Sequence, residues 1–517
     1  MTENYLNILA ETIRNNWDQP ALTDFYLTED GTAQDTTRGN HYTYGEMYAE
    51  ICRVADLLTS LGLQKGDHIA ICGTNSAHWV IAYLAIAKMQ GVSVTVMHTL
   101  MPDEIARLVA FSDAKALFTD EDLWSELKSQ SVPQVGSVIG LENWQILRGE
   151  NLQISIFQSP ISNSDCGFPQ SAPDDLVQIC FTSGTSGNAK GVMLNYKNIS
   201  VTTECVSKAY PPHRNKKILS YFPLAHAFGL GLEIVVPITS GCRIFLYRGE
   251  LRAESLLRAI RCVRPYLAVM VPTMIEKLAD AGTLKLLLFK LLGIDYIVVG
   301  GSGLRSKVGK KMKKYRIPIA PGYGMTETVA LICLTITSSY KAGTSGKVCD
   351  ALTLRIVDSG EILVKGENVM LGYYKDPEAT AAKIDSDGWL HTGDKGHLDE
   401  DGYLYVEGRL EQDLIVLPNG ENIRPDNIES LINALPEVSE SIVLARDGHL
   451  VAIVVPSSES SESRETIASS SSSSLRRKIL RAVNPQLPLF SQLYDVEITD
   501  QPLARTEKQT LKRYLYS

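Results

Sequence analysis

The residues best suited to chemistry lie in one short stretch, Phe181-Thr182-Ser183-Gly184-Thr185-Ser186-Gly187-Asn188-Ala189-Lys190-Gly191-Val192. Glycines let a backbone come close to an anion, hydroxyls and amide N–H groups donate to its oxygens, and a lysine adds a mobile positive charge. A phosphate satisfies this description. The stretch is not a P-loop, because Lys190 is followed by Gly191 and Val192 where that pattern needs Ser or Thr. Taken alone it reads equally as a flexible loop, so its meaning depends on its company.

That company lies downstream. Gly322-Tyr323-Gly324-Met325-Thr326-Glu327 sets a planar aromatic and a carboxylate on a tight turn. Trp389-Leu390-His391-Thr392-Gly393-Asp394 is followed by Gly408-Arg409; a carboxylate accepts two hydroxyl bonds and a guanidinium suits an anion. A third motif is Asp413-Leu414-Ile415-Val416-Leu417-Pro418-Asn419-Gly420, running on to Arg424-Pro425. In between, Pro223-Leu224-Ala225-His226-Ala227-Phe228-Gly229 and Gly300-Gly301-Ser302 interrupt otherwise apolar surroundings.

In this order the motifs resemble those of the adenylate-forming (AMP-binding) enzymes, and the 413–417 run looks most like that of the long-chain fatty acyl-CoA synthetases. The resemblance covers about Tyr42 to Arg513. It implies that Thr182, Ser183, Gly184, Thr185, Ser186, Gly187 and Lys190 hold the phosphates of ATP, and that Gly301 and Ser302 border adenine. By the same resemblance Gly322, Tyr323, Gly324 and Met325 receive the base, Thr326 meets the α-phosphate, and Glu327 with Thr185 holds Mg2+. Asp394 would bind the ribose hydroxyls and Arg409 the ribose or a phosphate. His226 would steer the acid's carboxylate or gate its pocket, with a structural role as the alternative. The adenylation lysine is assigned to Lys508, with Lys512 as the fallback. The family usually has one fewer residue between the arginine and the next acid, so the hinge falls at Glu411 or Gln412.

The implied reaction uses ATP, Mg2+ and coenzyme A. A carboxylic acid, expected to be a medium- or long-chain fatty acid, becomes an acyl-AMP and then a thioester. An acyl carrier protein could replace coenzyme A, and an aryl acid the fatty acid. From another class altogether, a catalytically inactive relative serving as a binding protein would account for the irregular lysine motif.

The elements that must position these residues follow from pattern. Met47, Ile51, Val54, Leu58 and Leu61 paint one face of a helix that ends at Gly62. A strand over 68–72, an N-cap in Thr74-Asn75-Ser76, a helix through Met89 and a strand at Val92, Val94 and Val96 follow, then a helix opening at Met101-Pro102. Such alternation predicts an α/β fold: a large N-terminal domain (1–409) of mainly parallel sheets flanked by helices, with ligands at the strand C-terminal ends. Short strands between about 350 and 406 add a small barrel-like subdomain. A small, mobile α+β C-terminal domain (410–517) completes the chain, with a Ser-rich surface loop over 457–474.

Bulk properties narrow the function. A chain of 517 residues exceeds one compact core, and 44% hydrophobic with 21% charged residues is an ordinary globular composition. The formal net charge of -9, with no basic block standing out, argues against a nucleic-acid role. Nine scattered cysteines without a CxxC pair read as reduced packing residues of a cytoplasmic protein, with no zinc site. No apolar run is long enough to span a bilayer. The segment 284–292, Leu-Lys-Leu-Leu-Leu-Phe-Lys-Leu-Leu, suits either an amphipathic helix resting on lipid or a core or edge helix with snorkelling lysines; the second reading is preferred. Oligomeric state is left open.

Overall fold

A computed structural model of the chain describes residues 2–28, 30, 34–35, 39–129, 135–149, 161–182, 189–212, 216–249, 253–301, 304–409, 415–417, 421–457, 470–503 and 513–516. The chain divides into two compact units, the second made principally of Glu411–Ser517.

The large unit is built on two extended sheets. In the first, strands Ile319–Pro321, Tyr296–Val299, Leu267–Met270, Lys217–Ser220, Arg243–Tyr247 and Pro20–Leu27 lie side by side and parallel. In the second, Leu176–Thr182, Val92–Thr95, His68–Cys72, Ala116–Thr119 and Ser137–Gly140 are parallel neighbours, flanked by antiparallel edges. Val92–Thr95 is buried along its whole length, as a parallel strand covered on both faces must be, so its valines do not mark an alternating surface strand.

Between the sheets runs helix Ala77–Lys88, apolar all round, touching Pro20–Leu27 of one sheet and both His68–Cys72 and Val92–Thr95 of the other. Ser76 caps it by accepting from the Trp79 amide. The preceding helix, Tyr44–Ser60, opens with a capping box between Thr43 and Glu46 and stops before Gly62, whose φ of +80° suits glycine.

A four-stranded antiparallel sheet, Leu352–Ile356, Glu361–Gly366, Leu390–Leu398 and Leu404–Arg409, forms the subdomain expected between 350 and 406. It closes the large unit.

The small unit has its own core. Helices Pro425–Asn433 and Ser470–Val483 pack Ile428, Ile432, Ile479 and Val483 onto strands Val438–Arg446, His449–Pro456 and Leu493–Ile498. Part of the expected Ser-rich loop is therefore helical: Ser470–Ser474 open a helix that Leu475, Ile479 and Val483 seat on the core of the small unit. The remainder of that stretch, 458–469, lies outside the described residues.

Candidate active site

The phosphate-binding candidates flank a hairpin. Leu176–Thr182 and Lys190–Asn195 pair antiparallel, with Thr182 directly opposite Lys190. Ser183, Gly184, Thr185, Ser186 and Gly187 fall between them, outside the described residues, as do Ser302, Lys508 and Lys512 and the hinge candidates Glu411 and Gln412. The strand before the hairpin is anchored to the segment 223–229: the Cys180 thiol and the Thr95 hydroxyl both bond the Ala225 carbonyl, at 3.1 and 3.0 Å. Burial pushes the Cys180 thiol up to about 11, which makes it a packing group and not a nucleophile.

His226 follows that carbonyl and its amide donates to Pro223. Next to it the ring of Phe228 lies over Gly300, where an added Cβ would stand 2.7 Å from Phe228 Cζ. This close approach explains the glycine at the strand end. Gly301 follows with φ +91°. The amide of Gly322 bonds the carbonyl of Val299, so the segment with Tyr323 leaves the sheet beside Gly300.

Tyr323 pairs with Cys333 through two backbone bonds and donates its hydroxyl to Asp394 Oδ2 at 2.5 Å. Asp394 is 6% exposed and sits opposite Arg409 on the neighbouring strand; the Arg409 side chain lies outside the described set. Two motifs separated by 71 positions in sequence thus share one hydrogen bond.

The turn after Tyr323 is tightly determined. A Cβ on Gly324 would collide with the backbone of Ala330, and Val329 and Ala330 both adopt φ near +50 to +60°. For a β-branched residue that is strained, and the surroundings must enforce it. Asn368 does so, fully buried, donating to the carbonyls of Thr328 and Leu331 at 3.0 and 2.7 Å. Glu327 emerges from this turn 7% exposed, next to Thr326.

The residue that sequence reasoning missed is Tyr373. Its hydroxyl donates to Glu327 Oε1 at 2.7 Å, and its ring lies under the Lys190 ammonium, 4.8 Å from the centroid. Strand Gly372–Tyr373 pairs with Lys190–Asn195, and the Met370 amide bonds the Glu327 carbonyl. The signal was a Gly-Tyr pair just ahead of the Asp376-Pro377 helix start, which carries no charge of its own to attract notice. Tyr373 thereby joins the candidate phosphate-binding hairpin to the candidate metal carboxylate.

A hard divalent cation fits this corner. Among the described residues Glu327 Oε2 accepts no hydrogen bond, leaving an oxygen of the type Mg2+ prefers.

Following the segment 223–229, Glu233 is fully buried on a π-helical turn, Leu230–Val235. One carboxylate oxygen accepts from the Ser220 hydroxyl and the amides of Tyr221 and Phe222 at 2.9–3.1 Å. Burial nevertheless pushes its pKa up to about 8, against the pull of those three bonds.

The sequence matches the family model described as AMP-binding enzyme over residues 9–374, and that of the AMP-binding enzyme C-terminal domain over 412–516. It is 28% identical to 4-coumarate–CoA ligase 3 of Arabidopsis thaliana, covering 83% of this chain and 80% of the relative. Identity to the indoleacetate–CoA ligase of Aromatoleum aromaticum is 26%, over 80% and 83%. Among solved structures, the o-succinylbenzoate CoA synthetase of Bacillus subtilis superposes with a TM-score of 0.75 at 23% identity, covering 98% of this chain and 97% of that one. The amide bond synthetase of Marinactinospora thermotolerans gives 0.76 at 21% identity, covering 98% of each. These structures share the fold. The relatives' names give no support to the narrower likeness to long-chain fatty acyl-CoA synthetases.

Proposed function

This chain belongs to the AMP-binding enzyme family, and from that premise we propose that it activates a carboxylic acid as its adenylate and passes the acyl group to the thiol of coenzyme A. The observation that carries the reading is the convergence of distant motifs: Tyr323 on Asp394, and Lys190 and Glu327 on either side of Tyr373.

A carboxylate is a poor acyl donor because oxide is a poor leaving group. In the first half-reaction a carboxylate oxygen attacks the α-phosphorus of ATP and pyrophosphate departs; in the second the thiol attacks the acyl carbon and AMP leaves. Positioning and charge stabilisation are what the protein must supply. Asp394 would hold the ribose and Tyr323 the adenine. Lys190 would follow the departing pyrophosphate. Glu327, with Thr185, would hold Mg2+, which supplies neutralising charge at the phosphates. Lys508 would bridge carboxylate and α-phosphate in the first step, and rotation of the C-terminal domain would withdraw it before the second.

The acid we propose is a monocarboxylic acid with an apolar body, and within that class a medium- or long-chain fatty acid. In support, the segment 223–229 carries no carboxylate, lysine or arginine, and its Phe228 meets Phe222 edge to face. ATP–pyrophosphate exchange across fatty, aryl and amino acids tests both parts. Acid-independent exchange overturns the enzyme assignment, and exchange only with aryl acids moves the substrate. Product formation with coenzyme A against a phosphopantetheinyl carrier protein decides the acceptor.

A further inference from the structure

Of the two positions the preferred reading allowed, core or edge, helix Thr283–Lys290 takes the edge. Only Leu286 and Phe289 turn inward, whereas Leu284, Leu287, Leu288 and Leu291 are 71%, 46%, 49% and 78% exposed. Two inward side chains per two turns are enough to seat a short helix, so the other apolar residues are left in water. Scattered surface leucines need no explanation, but four on one eight-residue helix and its C-cap do.

Their surroundings are cationic. The segment 305–316, Arg-Ser-Lys-Val-Gly-Lys-Lys-Met-Lys-Lys-Tyr-Arg, holds seven cations and no acid, a basic block that the reading of the whole chain overlooked under a net charge of -9. Helix Ser306–Lys314 buries Val308, Gly309 and Met312 and turns Lys307, Lys310, Lys313 and Lys314 outward. The two helices meet at their ends, where the Thr283 and Tyr315 hydroxyls are 3.0 Å apart, and both pack on helix Pro272–Asp280, whose Ala279 carbonyl accepts from Lys311. Arg305 is paired with Glu276 and Lys313 with the Tyr340 carbonyl, but Lys285, Lys290, Lys307 and Lys310 make no ion pair among the described residues.

We propose that these two helices form a docking surface for an anionic lipid bilayer, the leucines entering the headgroup boundary and the lysines meeting lipid phosphates. The charge pattern selects this occupant. A second copy docking on itself would set lysines against lysines across a two-fold contact. A purely acidic protein would meet the lysines and leave the leucines unburied. An anionic membrane receives both, with each cation contributing roughly fivefold at low ionic strength. Strand Tyr296–Val299, which leads to Gly300 in the acid pocket, lies in sequence between the two helices. The two helices thus flank in sequence the strand that leads to the proposed acid site, an arrangement suited to an apolar acid that partitions into lipid.

The test is sedimentation of the full-length protein with vesicles of phosphatidylcholine alone or with about one third phosphatidylglycerol. The wild type is expected to bind the anionic vesicles at least tenfold more tightly, with affinity falling as salt rises. Leu284→Ser with Leu287→Ser, Leu288→Ser and Leu291→Ser, and separately Lys285→Glu with Lys307→Glu and Lys310→Glu, should each weaken binding tenfold or more. Their thermal midpoints and pyrophosphate exchange with a short soluble acid should stay unchanged. Wild-type protein that ignores both vesicles, or variants that bind like wild type, overturns the proposal. So does a wild type that fails to bind lipid while the leucine variant dissociates a dimer or loses retention on a carrier protein. Because vesicle binding is read without turnover, a failure here is separate from any failure of the ligase assignment.

Discussion

Replacing Tyr373 with phenylalanine removes one oxygen and leaves the ring in place, so it isolates the bond to Glu327. That hydroxyl donates at 2.7 Å to a carboxylate 7% exposed, from a tyrosine 5% exposed. A hydrogen bond to a charged group in such surroundings contributes about 1.5–3 kcal/mol, or roughly ten- to a hundredfold in a rate or binding constant. If Glu327 is a metal ligand, the loss should appear as a higher Mg2+ requirement for pyrophosphate exchange, with acyl transfer from preformed acyl-AMP spared. Tyr373→Leu should add a second defect, weaker pyrophosphate retention, because the aromatic face under Lys190 contributes about 0.5–2 kcal/mol. Glu327→Gln provides the reference. Should Glu327→Gln raise the Mg2+ requirement while Tyr373→Phe leaves it unchanged, Tyr373 is a packing residue and the coupling is refuted. Should Glu327→Gln itself leave it unchanged, the metal assignment fails first.

Other outcomes follow from the same geometry. Asp394→Asn should raise the KM for ATP about tenfold or more with little change in fold, since the buried carboxylate loses its charge but keeps an acceptor for Tyr323; an unaltered KM removes Asp394 from the nucleotide site. Gly324→Ala should destabilise the large unit by about 1–3 kcal/mol in denaturant titration, because its methyl has only the Ala330 backbone to push against. Arg513→Ala should cost about 3–5 kcal/mol, as Glu429, bonded by Arg513 Nη2 at 2.8 Å and by the Val443 amide at 2.6 Å, would be left a buried carboxylate without its cation. Glu233 takes up its proton more readily folded, at a pKa of about 8, than unfolded near 4.5. Its contribution is thus fully present at low pH and fades as pH rises from about 4.5 to 8, with a slope of at most about 1.4 kcal/mol per pH unit. In Glu233→Gln that part of the pH dependence should vanish; an unchanged profile would show that Glu233 does not titrate in this window.

What the sequence made legible was periodic or chemically conspicuous. The helix from Tyr44 to Ser60 announced itself by spacing, and the motifs of Tyr323 and Asp394 stood out because both carry residue types with an obvious task, although the bond between the two side chains was not foreseen. Tyr373 was silent for the opposite reason. A tyrosine beside a glycine carries no charge and no periodic signature, and its importance exists only in three dimensions, where one residue satisfies a carboxylate with its edge and a cation with its face. Asn368 was hidden likewise, a polar side chain whose whole task is to close backbone bonds that a strained turn leaves open.

The leucine helix was legible only in part: an edge position was among the expectations, but which leucines it would leave uncovered was not. Composition says how much apolar surface a segment has, but not whether a neighbour arrives to cover it. At 283–290 the packed neighbour is helix Pro272–Asp280, while the lysine helix meets the leucine helix at one end, through the Thr283 and Tyr315 hydroxyls, and Leu284, Leu287, Leu288 and Leu291 stay exposed. A chain selected only to fold would replace Leu284 and Leu291 with polar residues at little cost, since surface substitutions away from special features change stability by less than about 0.5 kcal/mol. Their presence beside a basic segment is therefore better explained by what they meet than by what they hold together.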